Sequence, residues 1–147
     1  LQAIIAKQRE RIRELKLTKT RKNLPQLLII LDDLSDSGVM HNATSVLTSC
    51  FTRGRHLGLS TWLSSQKLLS IAPICRASFV FILCWELRNR KERFDGILHE
   101  LSNIHSIATL FELYKIATED PHSFLYVNLR AHPVEFYIRF EERLLVD

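Results

Sequence analysis

The chain has 147 residues, of which 46% are hydrophobic and 24% charged, so it can bury a core and a disordered chain is not expected. Its four Gly and four Pro exclude collagen-like and low-complexity structure. The longest apolar runs, near Leu27–Leu31 and Phe79–Trp85, are far shorter than the ~18 residues that a membrane span needs, so none is expected. No signal peptide is expected either, because charged residues interrupt the apolar ones across Leu1–Glu14.

The positive charge is concentrated at the start of the chain. Residues 1–22 carry eight Lys/Arg and two Glu, a local charge of +6, so the remainder carries −2 of the net +4. Such an asymmetry is typical of a contact with nucleic acid or another polyanion. A solvated helix face is the other interpretation.

An amphipathic helix is predicted over Leu1–Leu17, where apolar residues share one face and Lys/Arg surround it. The run Leu27–Leu31 is apolar throughout, which predicts a strand in a parallel sheet that helices cover on both faces. A helix over His41–Thr52, ended by Gly54, and a second strand over Leu57–Leu63 follow.

The second half of the chain adds a buried strand over Phe79–Trp85 and a charged helical turn over Arg88–Phe94. A helix over Ile104–Ala117 precedes a hairpin of Phe124–Leu129 and Val134–Phe140. This order predicts an α/β fold with a mostly parallel sheet flanked by helices and a C-terminal β-hairpin. We find no internal repeat and no linker that would separate two domains, so residues 1–147 are interpreted as one domain.

Three cysteines, Cys50, Cys75 and Cys84, lie in apolar surroundings without a CxxC pair. Their odd number and setting predict reduced, buried thiols in an intracellular protein. They match no familiar ligand spacing, so a zinc site is not favoured.

Two adjacent acids, Asp32 and Asp33, follow the apolar strand at once in the sequence LLIILDDL. Two carboxylates at the end of a buried strand repel each other, and a divalent cation removes that cost. Ligands of open α/β sheets bind beyond the carboxyl ends of the strands. The pattern has the form of a Walker B motif, in which the first acid holds Mg²⁺ and the second orients or deprotonates the attacking water. A solvated polar turn is the alternative.

Gln66 ends the next predicted strand, in STWLSSQ. If the two strands are neighbours, its amide lies beside the two acids, where it can contact a γ-phosphate or position a water. Arg53 and Arg55 precede the same strand and so lie at the opposite edge, where they can reach the nucleotide of a neighbouring subunit. Arginines that stabilise the end of a helix are the alternative.

These motifs together resemble the FtsK–HerA superfamily of ring-forming, DNA-pumping ATPases. In that family an Arg stands eleven residues before the Gln that closes the sensor strand, often with a Gly three residues after the Arg, and Arg55, Gly58 and Gln66 have this spacing. The variant is most similar to the poxvirus-type DNA-packaging ATPases of large DNA viruses. The resemblance covers about residues 24–85.

The resemblance implies a RecA-like P-loop NTPase core in which the Gln66 strand lies beside the strand of the acids. It implies that Asp32 is the Mg²⁺ ligand, Asp33 the water-activating acid, Gln66 the sensor and Arg55 a finger that acts in trans, with Arg53 as the alternative finger. Members more often carry Glu at the position of Asp33. The implied cofactors are ATP and Mg²⁺, and the implied partners are double-stranded DNA, a hexameric ring of identical subunits and capsid proteins.

No GxxxxGK[ST] sequence occurs in the 147 residues, so the chain lacks the loop that cradles phosphates in this superfamily. We therefore expect that the N-terminal P-loop strand is missing and that this chain alone is inactive. The leading interpretation is an ATP-driven packaging motor that acts at a viral assembly site or in the virion. A non-catalytic DNA-binding or oligomerisation remnant and a conjugation or segregation motor remain alternatives.

Overall fold

A computed structural model describes residues 1–17, 25–33 and 46–146, apart from the side chain of Lys16. These residues form two compact units. The first unit comprises Leu1–Gln66 and Ser70–Ser78, and the second comprises Lys67–Leu69 and Phe79–Asp147. The first unit carries the predicted acids, amide and arginines.

Helix α1 spans Gln2–Leu17, as the amphipathic pattern predicts. Its buried residues are Ile5, Gln8 and Ile12, which recur at the three- and four-residue intervals of one helical face. The charged residues of the helix whose side chains are described are exposed.

Two parallel strands form the sheet of the first unit. Strand β1 spans Leu27–Leu31 and strand β2 spans Leu59–Leu63. Helix α2 (Val46–Arg53) precedes β2 and continues into a 3₁₀ turn, Gly54–Leu57. The part of the predicted helix at residues 41–45 lies outside the described residues.

The core of the first unit lies on one face of this sheet. Ile5 of α1 and Cys50 of α2 are buried together with Leu59 of β2, and the half-buried Leu27 and Ile29 pack against them. Helix α3 (Pro73–Arg76) is held against α2 by the thiol of its Cys75, whose Sγ lies 3.7 Å from the Thr48 hydroxyl. Because Ile5 and Cys50 belong to the same buried cluster as Leu59, helices α1 and α2 cover the same face of the two strands.

The other face of these strands is exposed among the described residues. Leu28 is 48% exposed, Ile30 is 64% exposed and Trp62 is 50% exposed. The prediction that β1 is buried on both faces is therefore wrong for this part of the chain. Both faces of β1 are apolar, but α1 and α2 contact only one of them.

The second unit contains a four-stranded antiparallel sheet in the order β3-β4-β5-β6. Its strands are, in chain order, Phe81–Trp85, Phe124–Asn128, Glu135–Ile138 and Glu142–Leu144. The α/β class and the hairpin of β4 and β5 are confirmed, while β6 was not predicted. The expectation of a mostly parallel sheet is corrected, because β1 and β2 are the one parallel pair among the described strands.

The sequence of strand β3 explains why a mostly parallel sheet was expected. Its buried residues are Ile82 and Cys84, whereas Phe81 and Trp85 are exposed on the other face. Phe81 lies edge-on to Tyr126, with ring centroids 6.3 Å apart, and Trp85 contacts another aromatic ring of β4. Outward aromatic residues that pair across strands give the same continuous apolar run as a strand buried on both faces.

Two helices cover the other face of the antiparallel sheet. A helix at residues 90–100 contains a π-helical stretch, Glu92–Leu98, and α4 spans Ile107–Ala117 with Ser106 as its N-cap. Their apolar residues and those of the strands form the largest core: Ile82, Cys84, Ile97, Leu98, Leu101, Leu110, Leu113, Tyr114, Ala117, Leu125, Val127 and Phe136. The buried Tyr114 hydroxyl accepts a 2.6 Å hydrogen bond from the Leu87 N–H and donates to the Trp85 carbonyl oxygen at 3.1 Å.

All three cysteines are buried and free, as predicted for thiols in apolar surroundings. Burial raises the pKa of the Cys84 thiol to about 12. Burial also raises the pKa of Cys50, in the core of the first unit. Both thiols are therefore kept in the uncharged form near neutral pH.

Candidate functional site

The two acids lie where the sequence predicts them, directly beyond the carboxyl end of β1. Strand β1 ends at Leu31, and both Asp32 and Asp33 are exposed. Asp33 has a φ of +47°, in the left-handed region that Asp tolerates better than most residues. The strand therefore ends before Asp32, and the backbone leaves the strand direction at Asp33, the second acid.

The strand that leads to Gln66 is the direct neighbour of the strand that leads to the acids. Leu31 and Leu63 are paired in the parallel register, and the Ser64 N–H donates a 2.8 Å hydrogen bond to the Leu31 carbonyl oxygen. Because parallel strands end at the same edge of a sheet, the acids and the segment Ser64–Gln66 follow two adjacent strand ends. The expected adjacency of these strands is confirmed, but Gln66 does not end the second strand, because β2 ends at Leu63, three residues earlier.

This edge offers oxygen ligands of the kind that Mg²⁺ prefers. Mg²⁺ bound with a nucleotide takes one or two carboxylates, keeps several waters and completes its coordination with phosphate oxygens. Asp32 and Asp33 supply two exposed carboxylates at one strand end. The donor set therefore fits a magnesium ion that arrives with a nucleotide. Among the described residues, no group of three His, Cys, Asp or Glu is arranged to hold a metal ion.

The two arginines lie toward the opposite edge of the sheet. Arg53 is the last residue of α2 and Arg55 lies in the 3₁₀ turn that precedes β2, and both are exposed. A five-residue strand with a rise of about 3.3 Å per residue separates the two edges by roughly 15 Å. Arg55 is therefore remote from the acids of its own chain, as the sequence predicts.

Gly58 fixes the start of β2 and hence the position of the turn that carries Arg55. Its φ of +58° lies in the left-handed region, and a Cβ at this position would stand 2.9 Å from the Pro25 carbonyl oxygen. Its own carbonyl oxygen accepts a 2.9 Å hydrogen bond from the Leu27 N–H at the start of β1. The positive φ and the close approach of the Pro25 carbonyl oxygen both favour glycine at this position. They give a structural reason for a Gly three residues after Arg55.

Gln8 is a positioning residue that the sequence analysis missed. Its side chain is 7% exposed, and its Nε2 donates to the Pro25 carbonyl oxygen at 2.8 Å and to the Leu57 carbonyl oxygen at 3.1 Å. These bonds tie α1 to the segment before β1 and to the 3₁₀ turn. The available signal was its place between Ile5 and Ile12, where one polar residue interrupts the apolar face of the helix.

The second basic cluster, Arg88–Arg93, lies in the second unit at the start of the π-containing helix. The Arg93 guanidinium lies 5.4 Å from the ring centroid of Phe94 and 5.7 Å from that of Phe111, and these two rings stack 5.2 Å apart. Arg93 is therefore held by cation–π contacts, and the exposed Arg90 also lies over the Phe94 ring, 5.5 Å from its centroid. Arg88 and Lys91 are exposed as well. None of the helices in the described part of the chain is long and apolar enough to cross a membrane.

Comparisons with known proteins agree with this architecture. The fold is similar to that of the genome packaging NTPase B204 from Sulfolobus turreted icosahedral virus 2, solved in complex with ATP-gammaS, with a TM-score of 0.57 and 18% sequence identity. The likeness, which at this identity concerns the fold, covers 80% of this chain but 54% of that one, so the chain spans about half of that protein's length. No curated protein sequence matches the chain. A family model described as poxvirus A32 protein matches residues 1–124, and the chain therefore belongs to the poxvirus A32 protein family.

Proposed function

We propose that this chain is part of an ATP-driven motor that moves double-stranded DNA into the capsid of a large DNA virus or virus-like element. The observation that carries the proposal is the parallel pairing of β1 and β2, which sets Asp32, Asp33 and Gln66 after adjacent strand ends. Membership of the poxvirus A32 family supports it, and so does the fold likeness to a viral genome packaging NTPase. The motor would act at the viral assembly site of an infected cell, with capsid proteins as partners.

The acid edge is the edge of the parallel sheet where Asp32, Asp33 and Gln66 follow the ends of β1 and β2. In this proposal its three residues have distinct tasks. Asp32 holds Mg²⁺, and Asp33 accepts the proton of the attacking water or orients it. Gln66 contacts the γ-phosphate or the same water from the neighbouring strand end. A magnesium ion held by Asp32 would supply positive charge for the phosphate oxygens during hydrolysis.

Arg55 acts in trans, on the nucleotide of the next subunit in a hexameric ring. Its place at the edge opposite the acids supports this role, because one chain cannot bring both to the same phosphate without a large rearrangement. A guanidinium from a neighbouring subunit stabilises the charge of the transferred phosphoryl group. Arg53, two residues earlier in the chain and also exposed, is the alternative finger.

The proposal requires a phosphate-binding loop from polypeptide outside these 147 residues, because the sequence contains no GxxxxGK[ST]. The same observation favours a second candidate, a non-catalytic DNA-binding or oligomerisation module. A conjugation or segregation motor of the FtsK–HerA superfamily is the third. Neither of the first two candidates predicts ATP hydrolysis by the isolated chain. Robust hydrolysis by this chain alone would therefore contradict both of them.

The decisive experiment mixes inactive subunits of the motor in which this chain is joined to its phosphate-binding loop. We expect Arg55→Ala rings and Asp33→Asn rings to be inactive separately. Mixed rings should regain hydrolysis, because an Asp33→Asn subunit supplies Arg55 to the intact acids of its Arg55→Ala neighbour. Arg53→Ala tests the alternative finger and should stay active if Arg55 is the residue that acts in trans. Mixed rings without activity would contradict the trans role, and an active Asp33→Asn ring would contradict the proposed hydrolytic site.

A further inference from the structure

A surface cavity of about 370 Å³ lies in the first unit between α1 and the 3₁₀ turn. The acids follow the carboxyl ends of the strands, whereas this turn precedes the amino end of β2. The cavity is therefore distinct from the candidate magnesium site. Six residues line it: Arg9, Ile12, Arg13, Leu17, His56 and Leu57.

The lining of this cavity is basic above an apolar floor. Arg9 and Arg13 lie one helical turn apart on the same side of α1, and His56 faces them from the turn. None of the lining residues is acidic, and neither arginine makes a hydrogen bond or ion pair with another described residue. Two neighbouring guanidinium groups repel each other, so an anion that binds between them relieves that repulsion.

A buried contact fixes the backbone elements that carry these basic side chains. Gln8, next to Arg9 in the chain, donates hydrogen bonds to the carbonyl oxygens of Pro25 and Leu57, the second of which lines the cavity. The bonds hold the helix that carries both arginines against the turn that carries His56. The cavity therefore has a preorganised wall on each side, which lowers the conformational cost of binding.

We propose that this cavity binds backbone phosphates of double-stranded DNA. Arginine is suited to phosphate because its guanidinium donates two parallel hydrogen bonds to one phosphate group. The apolar floor of Ile12 and Leu57 offers a surface for the adjoining sugar, and such contacts position a duplex without reading its sequence. The identification of DNA as the ligand rests on the proposed function. The affinity of the cavity for phosphate rests only on the charges of Arg9 and Arg13.

The test measures binding of this chain to a short fluorescent DNA duplex by anisotropy over a series of salt concentrations, without nucleotide. The double variant Arg9→Gln/Arg13→Gln should bind more weakly. Its plot of log affinity against log salt should be shallower by about 2, because each lost phosphate contact removes about 0.9 from the slope. The positioning variant Gln8→Leu should weaken binding while its helical circular dichroism signal stays unchanged.

The matched control is Arg88→Gln/Arg90→Gln, which removes the same charge from exposed arginines of the second unit. The proposal is supported if only the Arg9/Arg13 variant flattens the slope. Equal losses in both double variants would mean that binding follows net charge, and an unchanged slope in the Arg9/Arg13 variant, or no duplex binding at all, would equally overturn the proposal.

A second arm distinguishes DNA from the phosphates of a neighbouring subunit's nucleotide. Binding of inorganic tripolyphosphate is measured calorimetrically for the same variants. If the Arg9/Arg13 variant loses tripolyphosphate but keeps the duplex, the cavity serves nucleotide phosphates and the DNA assignment is wrong. Because the duplex measurement uses no ATP, its outcome is independent of the mixed-ring result, so either proposal can fail without the other.

Discussion

The Ser64 N–H and the Leu31 carbonyl oxygen, 2.8 Å apart, form the last hydrogen bond between β1 and β2 before the two acids begin. This bond keeps the segment leading to Gln66 beside the end of the strand that carries Asp32. The candidate site therefore depends on a backbone contact as well as on its side chains.

Ser64→Pro removes that N–H while keeping the residue before it extended, as Leu63 already is. We expect a loss of at least about 0.5–1.5 kcal/mol in the free energy of unfolding, because the usual net contribution of one hydrogen bond is lost and the proline ring must also displace the Leu31 carbonyl oxygen. Urea denaturation measures it. Ser64→Ala keeps the N–H and should remain within experimental error of the wild type, so an equal loss in both variants would argue against the backbone bond.

Gly58→Ala should destabilise the first unit, because alanine must adopt a φ of +58° and place its Cβ 2.9 Å from the Pro25 carbonyl oxygen. The left-handed conformation alone costs about 1–2 kcal/mol. Faster hydrogen exchange of the Leu27 amide, which donates to the Gly58 carbonyl oxygen, should accompany the loss. Gly96→Ala is the control: its Cβ would meet its nearest atom at 3.5 Å, so little change is expected there.

The stability of the second unit should fall as the pH rises above about 9, because burial raises the pKa of Cys84 from 9.0 to about 12. The thiol ionises first in the unfolded chain, so its contribution is complete below pH 9 and is lost as the pH rises toward the folded pKa. The slope of this loss reaches about 1.4 kcal/mol per pH unit.

Urea denaturation between about pH 8 and pH 11 checks this prediction, and Cys84→Ala should flatten the decline even though its overall stability is lower. Ile82→Val removes buried volume from the same strand without removing a thiol and should keep the wild-type slope. Parallel pH profiles for the wild type and Cys84→Ala would contradict the assignment of the decline to this thiol.

Leu28→Thr/Ile30→Thr should reduce aggregation with little loss of stability, because these side chains are 48% and 64% exposed on the uncovered face of β1. Static light scattering against protein concentration measures the effect. The matched control is Leu27→Thr/Ile29→Thr, on the face that packs against the core of the first unit. It should destabilise the chain, and equal behaviour of the two double variants would contradict the assignment of the faces.

The acid edge could be predicted from sequence because its signals are local. A five-residue apolar run followed by Asp32 and Asp33 specifies a strand and its end, and the spacing from Arg55 to Gln66 specifies the next strand. The parallel pairing of β1 and β2 then brings the acids and the amide to one edge, as expected. The catalytic tasks of these side chains remain predictions, because they depend on a nucleotide and on neighbouring subunits.

It was harder to predict from the sequence which strands pair with each other and which faces of the sheets are covered by helices. The run Phe81–Trp85 has the composition of a strand buried on both sides, yet its outer residues are aromatic groups that contact rings of β4. Gln8 shows the same limit, because a polar residue on an apolar helical face gives no indication of which distant carbonyl groups it will bind. Both features are decided by residues remote in the chain, which periodicity does not report.

The division into two compact units gives each of them its own intrinsic optical reporter. The chain has two tryptophans, and Trp62 belongs to the first unit while Trp85 belongs to the second. Trp62→Phe and Trp85→Phe would each leave a single indole, so emission spectra can follow the melting of either unit separately. The order in which the two halves lose structure is thus measurable without any added dye.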